Sequence, residues 1–116
     1  MEARAESRYN RQSARKMRLV IDQIRGRRVE EAYALLEFST KKAAEVIGKT
    51  LRSAVANARV KAENAGAAVD VDELFVKEAY VNEGPRLRRW RAAAMGRAAP
   101  IRRPTAHVVV VVDRKE

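Results

Sequence analysis

Cysteine is absent from these 116 residues, so neither a disulfide framework nor a thiolate metal site is open to the chain. A reducing cytoplasm suits that composition, and a cytoplasmic protein is expected. Aromatic residues are scarce, at 5%, which leaves any core to alanine and the branched aliphatics. The longest unbroken aliphatic run is Val108 to Val112, far short of a membrane span, and nothing near Met1 resembles the apolar segment of a signal peptide. Material for catalysis is equally thin. His107 is the single histidine, flanked by Ala106 and Val108 instead of a group that would orient it as a base. Asp70, Asp72 and Glu73 lack the glycine and the twelfth-position glutamate of a calcium loop. Ser39 and Ser53 have no identifiable base, and there is no glycine-rich phosphate loop. No enzyme activity, cofactor or metal is expected.

Negative charge is missing from one long stretch. Between Gly84 and Val112 stand seven arginines (86, 88, 89, 91, 97, 102 and 103) and no acid. Residues 1–28 hold nine Lys/Arg against three acids, whereas residues 29–83 hold seven against ten. Two basic blocks therefore flank a mildly acidic middle, and together they carry the chain to +10. Incidental basicity would be spread more evenly, so the division points to two contact surfaces on a nucleic acid.

Leu74 to Val81 and Thr105 to Val112 are rich in β-branched and aromatic residues and read as strands. The small segment Ala92 to Gly96 can reverse the chain between them, with the bend near Ala93 to Met95. Sixteen or so residues per arm at about 3.3 Å each would reach roughly 50 Å. A compact chain of this length has a radius of gyration of only about 13 Å. The hairpin cannot all lie on its own core. Its large apolar side chains between Arg86 and Arg103 are only Leu87, Trp90, Met95 and Ile101, and an isolated two-stranded ribbon is marginal in water. It is expected to take its order from what it binds.

The remaining chain reads as a helical body. Ala3, Ala5, Ser7 and Tyr9 alternate with Glu2, Arg4, Glu6 and Arg8, the pattern of a strand with one covered face, on whose open side Arg4 and Arg8 lie. Ser13 can cap a helix with Met17, Val20, Ile21 and Ile24 inward, stopped by Gly26. Arg11, Arg15, Lys16, Arg18, Arg25, Arg27 and Arg28 crowd near its start, its outer side and its end. A second helix runs from Val29 to Phe38 with Ala32, Leu35 and Leu36 inward. Ser39 or Thr40 then caps a longer one, Lys41 to about Asn64, whose apolar stripe is Ala44, Ile47, Leu51, Val55 and Ala58, with Gly66 as its left-handed stop. The five valines have no polar face, so their strand is covered on both sides or runs centrally. The expected class is α+β: three helices on one face of a small three-stranded antiparallel sheet, from which a long β-hairpin projects. One domain is expected, with a body of about 1–83 and 105–116 and an arm of about 84–104.

Positive charge supplies affinity for phosphate through counterion release, and arginine suits bidentate contact. Trp90, between Arg89 and Arg91, offers a face for an exposed base or a cation, and would serve equally as a packing residue between the two arms. Arginine-rich, irregular recognition fits folded RNA better than uniform duplex DNA. An architectural nucleic-acid-binding protein with a basic β-ribbon arm is the alternative; such proteins dimerise, and no dimer surface is evident here.

The ordered set Ser13-Ala14-Arg15-Lys16-Met17-Arg18-Leu19-Val20, Ile24-Arg25-Gly26, Ser53-Ala54, Ala56-Asn57-Ala58, Gly84-Pro85, Met95-Gly96-Arg97-Ala98, Ile101-Arg102-Arg103 and Thr105 to His107 resembles the family of ribosomal large-subunit protein twenty-two, over nearly the whole chain. The resemblance implies a structural protein of the large ribosomal subunit, with large-subunit rRNA and neighbouring ribosomal proteins as partners. It also implies a hairpin threaded through rRNA to the peptide exit tunnel, where its tip, Ala92, Ala93, Ala94, Met95 and Gly96, would meet the nascent peptide. Arg15, Lys16, Arg18 and Arg25 match the family's helix basics; Arg88, Arg89, Arg97, Arg102 and Arg103 match its hairpin basics. Thr105 and His107 match positions near the hairpin base. The tip departs from the Pro-Arg-Ala of many members, and Pro100 and Pro104 are further departures that each remove a ladder donor.

Overall fold

The alternation of small and charged residues near the N-terminus forms a strand in the computed structural model, which describes residues 2–67, 70–92 and 94–114. This strand, β1 (Ala3–Asn10), is followed by three helices: α1 (Ala14–Ile24), α2 (Val29–Glu37) and α3 (Ala43–Asn64). Four strands follow: β2 (Leu74–Glu83), β3 (Leu87–Ala92), β4 (Ala98–Arg103) and β5 (Ala106–Arg114). The expected α+β class is what the chain adopts. β1, β5 and β2 make an antiparallel three-stranded sheet in that order, with the valine strand β5 at its centre, while β3 and β4 pair only with each other.

Val108, Val110 and Val112 join Met17, Ile21, Ile24, Ile47 and Leu51 in one buried cluster beneath the helices. On the other face Val109 stands between Glu6 and Tyr80, and Val111 between Arg4 and Glu78; both valines are buried. Long flanking side chains can screen them there. The stripe foreseen on α3 is all buried, and small residues along a helix allow close packing of its neighbours.

Several details differ from the sequence expectation. Tyr9 does not continue the covered face of β1. A bulge between Ser7 and Asn10 puts it at a φ of 57°, 58% exposed. A second bulge between Val76 and Glu78 turns both Lys77 and Glu78 outward and returns Ala79 and Val81 to the core. Leu35 faces outward, and Val29 takes the inward place beside Ala32 and Leu36. Phe38 is the C-cap of α2, not its last turn. Neither Ser39 nor Thr40 caps α3: its N-cap is Lys42, while the Ser39 hydroxyl accepts from the Lys41 N–H. Ser13 is the N-cap of α1 as expected, but its side chain makes no capping bond.

The hairpin is not one continuous ladder. Gly84-Pro85-Arg86 and Pro104-Thr105 interrupt it, so that a separate ribbon leaves the body. A single backbone bond, Gly84 N–H to Thr105 C=O at 2.9 Å, bridges the gap, joined by Thr105 Oγ1 donating to the Pro85 carbonyl at 2.5 Å. The molecule measures 67 × 28 × 17 Å, and the long dimension follows from that projecting ribbon.

Candidate nucleic-acid interface

Register fixes which side of the ribbon each residue occupies. Leu87 pairs with Arg103, Arg89 with Ile101 and Arg91 with Ala99, and these alternate with Arg88–Arg102, Trp90–Pro100 and Ala92–Ala98. Since neighbours in a strand point oppositely, one face carries Leu87, Arg89, Arg91, Ala99, Ile101 and Arg103. The other carries Arg88, Arg102, Trp90 and Pro100, so Trp90 is set against a proline and remains 69% exposed.

All seven arginines from Arg86 to Arg103 are exposed. Among the described residues none of them meets a carboxylate; Arg89 donates only to the adjacent Arg88 carbonyl, at 2.8 Å. Met95 and Gly96 turn the chain in the left-handed region, at φ 61° and 69°. Ala92, Ala94, Met95 and Gly96 are exposed at the tip, Met95 by 96%. Ala93 lies outside the described residues.

The nine basic residues of positions 1–28 divide into two groups. Arg11, Arg15 and Lys16 are exposed with no ion pair to a carboxylate among the described residues, and the exposed Arg28 acts on Glu30 only through its charge. The others have partners within the protein. Arg4 and Arg8 both approach Glu6, at 3.5 and 3.9 Å, and Arg27 lies 3.6 Å from Glu31. Arg18 donates from Nε and Nη2 to the Val81 carbonyl at 3.1 and 2.9 Å. Arg25 does the same to the Ala79 carbonyl at 3.0 and 2.6 Å and meets Asp22 at 2.9 Å. Both arginines sit on the open edge of β2 and occupy carbonyls that would otherwise be free to pair with another chain. Three of the five N–H groups remain on Arg18, and two on Arg25 once Asp22 takes a third.

Thr105 and His107 belong to the root of the ribbon. Thr105 is buried, its hydroxyl committed to Pro85. His107 Nδ1 accepts the Tyr9 N–H at 3.0 Å, and the Tyr9 ring stands edge-on at 4.9 Å. That contact holds the β1 bulge in place, and it requires Nδ1 to be free of a proton.

A cleft of about 1190 Å³ opens between the ribbon and the starts of α1 and α3. It brings Arg11 and Lys16 together with Arg89, Arg91 and Arg103, and it adds Lys41 and Lys42, which sequence reading missed. Their adjacency was the available signal, but they stand in the acidic middle of the chain and only the fold sets them opposite the ribbon. Acids gather elsewhere: a hydrogen bond that the protonated Glu30 carboxyl donates to Asp72, reinforced by the Asp72 charge, raises Glu30 above its ordinary value. Among the described residues no group of three or more His, Asp or Glu could hold a metal ion, and no helix is long and apolar enough to cross a membrane.

A sequence model described as ribosomal protein L22p/L17e matches residues 5–113. The chain belongs to that family. It is 49% identical to large ribosomal subunit protein uL22 of Bifidobacterium longum (strain DJO10A) over 116 residues, covering 100% of this chain and 98% of the relative. The protein of the same name from Solibacter usitatus (strain Ellin6076) is 50% identical, with 100% and 99% covered. That of Geobacter metallireducens is 50% identical over 115 residues, with 99% and 100% covered. An L22p/L17e protein is a structural constituent of the ribosome and not an enzyme. The ribbon and its joint both fall inside the matched segment.

Proposed function

We propose that the chain binds large-subunit rRNA as a single-domain protein, with the ribbon and the start of α1 as its principal RNA surface. The ribbon would thread between rRNA elements to the peptide exit tunnel, placing Ala92 to Gly96, Met95 foremost, beside the nascent peptide. Neighbouring ribosomal proteins would pack on the body. The observation that carries this reading is an arm of seven exposed arginines without a carboxylate partner among the described residues. Like charges at such density are relieved by an anion that penetrates between them, and RNA phosphates supply such anions. Affinity would come from these contacts, and the ribbon would acquire its full order on binding. Arg18 and Arg25 could still offer their outward N–H groups to RNA while holding β2.

The test compares binding of the full chain to large-subunit rRNA and to duplex DNA at matched salt. Tighter binding to rRNA is expected; equal affinity would favour a general architectural role. Replacing Arg88, Arg89, Arg97 and Arg102 by alanine should lower the slope of log affinity against log salt by about 0.7 to 0.9 per arginine removed. An unchanged slope would mean that these side chains face water in the complex.

A further inference from the structure

Leu19 is an apolar side chain 62% exposed on α1, and it stands in the cleft facing the ribbon. Leu87 and Ile101, both half-buried, lie on the ribbon face that turns to the same cleft. Three apolar side chains, one from the body and two from the ribbon, thus line a strongly basic concavity. Its cations come from both walls: Arg11, Lys16, Lys41 and Lys42 from the body, Arg89, Arg91 and Arg103 from the ribbon. Among the described residues lining it there is no acid.

We propose that this cleft is a distinct binding site for a single-stranded RNA segment of a few nucleotides, with Lys41 and Lys42 as phosphate contacts and Leu19, Leu87 and Ile101 as the surface against which an unpaired base lies. The inference rests on the rRNA-binding reading above and goes beyond it, since it assigns a strand type and two lysines outside both basic blocks of the sequence. Size and chemistry select the occupant together. At about 1190 Å³ the cleft is somewhat larger than the roughly 300–1,000 Å³ of small-ligand sites, room for a few nucleotides of one strand between the walls. Cations on both walls suit a backbone running between them, whereas the apolar side chains beside them have no use for a phosphate and suit the face of a base. A strand lying there would also brace the ribbon against the body, at a joint otherwise held by the Gly84–Thr105 and Thr105–Pro85 bonds.

The sole tryptophan, Trp90, borders the cleft and is exposed, so its fluorescence can report occupancy. The full chain is titrated with a ten-nucleotide uridine oligomer and with an RNA duplex of the same length. Three variants are compared: Lys41→Ala with Lys42→Ala, Leu19→Ala with Ile101→Ala, and, as a control outside the cleft and the proposed RNA surface, Lys49→Ala with Arg59→Ala. For the oligomer, the lysine pair should lower the salt slope by about 1.4, at roughly 0.7 per single-strand contact. The leucine–isoleucine pair should weaken oligomer binding at least threefold and leave the slope unchanged. Duplex binding should respond to neither. If the wild-type chain binds rRNA but the lysine pair leaves both oligomer affinity and slope unaltered, the cleft assignment falls while rRNA binding stands. Equal losses on duplex and oligomer would also overturn it. Failure of the wild-type chain to bind rRNA at all would instead remove the broader reading. Thermal unfolding midpoints of the variants within a few degrees of wild type exclude misfolding as the cause.

Discussion

At Gly84 the backbone passes so close to β5 that a Cβ would stand 2.5 Å from Thr105 Oγ1 and 3.0 Å from His107 Nε2. No positive φ is involved; the demand is for space. Thr105 could yield only by giving up its bond to Pro85, which would strand a buried hydroxyl, and His107 is fixed by Tyr9. Gly84→Ala should therefore cost about 1–3 kcal/mol, the usual range for overpacking a tight site, read as a lower urea midpoint with an unchanged m-value. In a Thr105→Ala background the same substitution should cost clearly less, because the nearest obstacle is gone. Additive effects would show that the crowding lies elsewhere. The glycine could be marked in the sequence as a boundary of the arm, but not for this reason, since its neighbours in space are more than twenty residues away in the chain.

The elements that hold the sheet show where sequence reading stops. The α3 stripe from Ala44 to Ala58 and the Gly26 and Gly66 stops were legible because a 3.6-residue period and a left-handed exit are local properties. So was the central place of the five valines. The bulges at Tyr9 and Lys77 were not, because they answer to partners across the sheet. Leu35 was misplaced because the short helix α2 is apolar on more than one side. The sheet edges were equally hidden. Arg18 and Arg25 cap the carbonyls of β2, while Asn57 donates to the Arg4 carbonyl at 2.9 Å and Lys61 to that of Glu2 at 2.7 Å along β1. Composition presents those two arginines as RNA ligands; geometry gives them protein work. A hydrogen bond from a charged group contributes about 1.5–3 kcal/mol, though exposure of these side chains favours the low end. The double variant Arg18→Ala, Arg25→Ala should lower the urea midpoint of the free protein and increase its association at high concentration, as scattering would record. Unaltered stability with weakened rRNA binding would mean that the two serve RNA alone.

At the scale of the whole molecule, the charge division and the reach of the arm were both written in the sequence, because like charge and strand length accumulate along the chain without reference to the fold. The cleft was not, since Lys41 meets Arg89 only through the packing of α3 and the direction in which the ribbon leaves. That direction has two possible causes: repulsion among seven arginines, or the joint at Gly84, Pro85 and Thr105. Salt separates them, because raising ionic strength from about 0.1 to 1 M shortens the screening length from roughly 10 to 3 Å and leaves the joint's hydrogen bonds in place. The radius of gyration is 17.6 Å, against about 13 Å for a compact chain of this length. Small-angle scattering of the free protein should give a value near the larger figure at both salt concentrations. Loss of pairing between β3 and β4 would not shorten it, so the measurement tests the direction of the arm independently of its order. A fall toward the compact value at high salt would assign the extension to charge repulsion. A compact value at both would mean that the arm lies back on the helices when no RNA is bound.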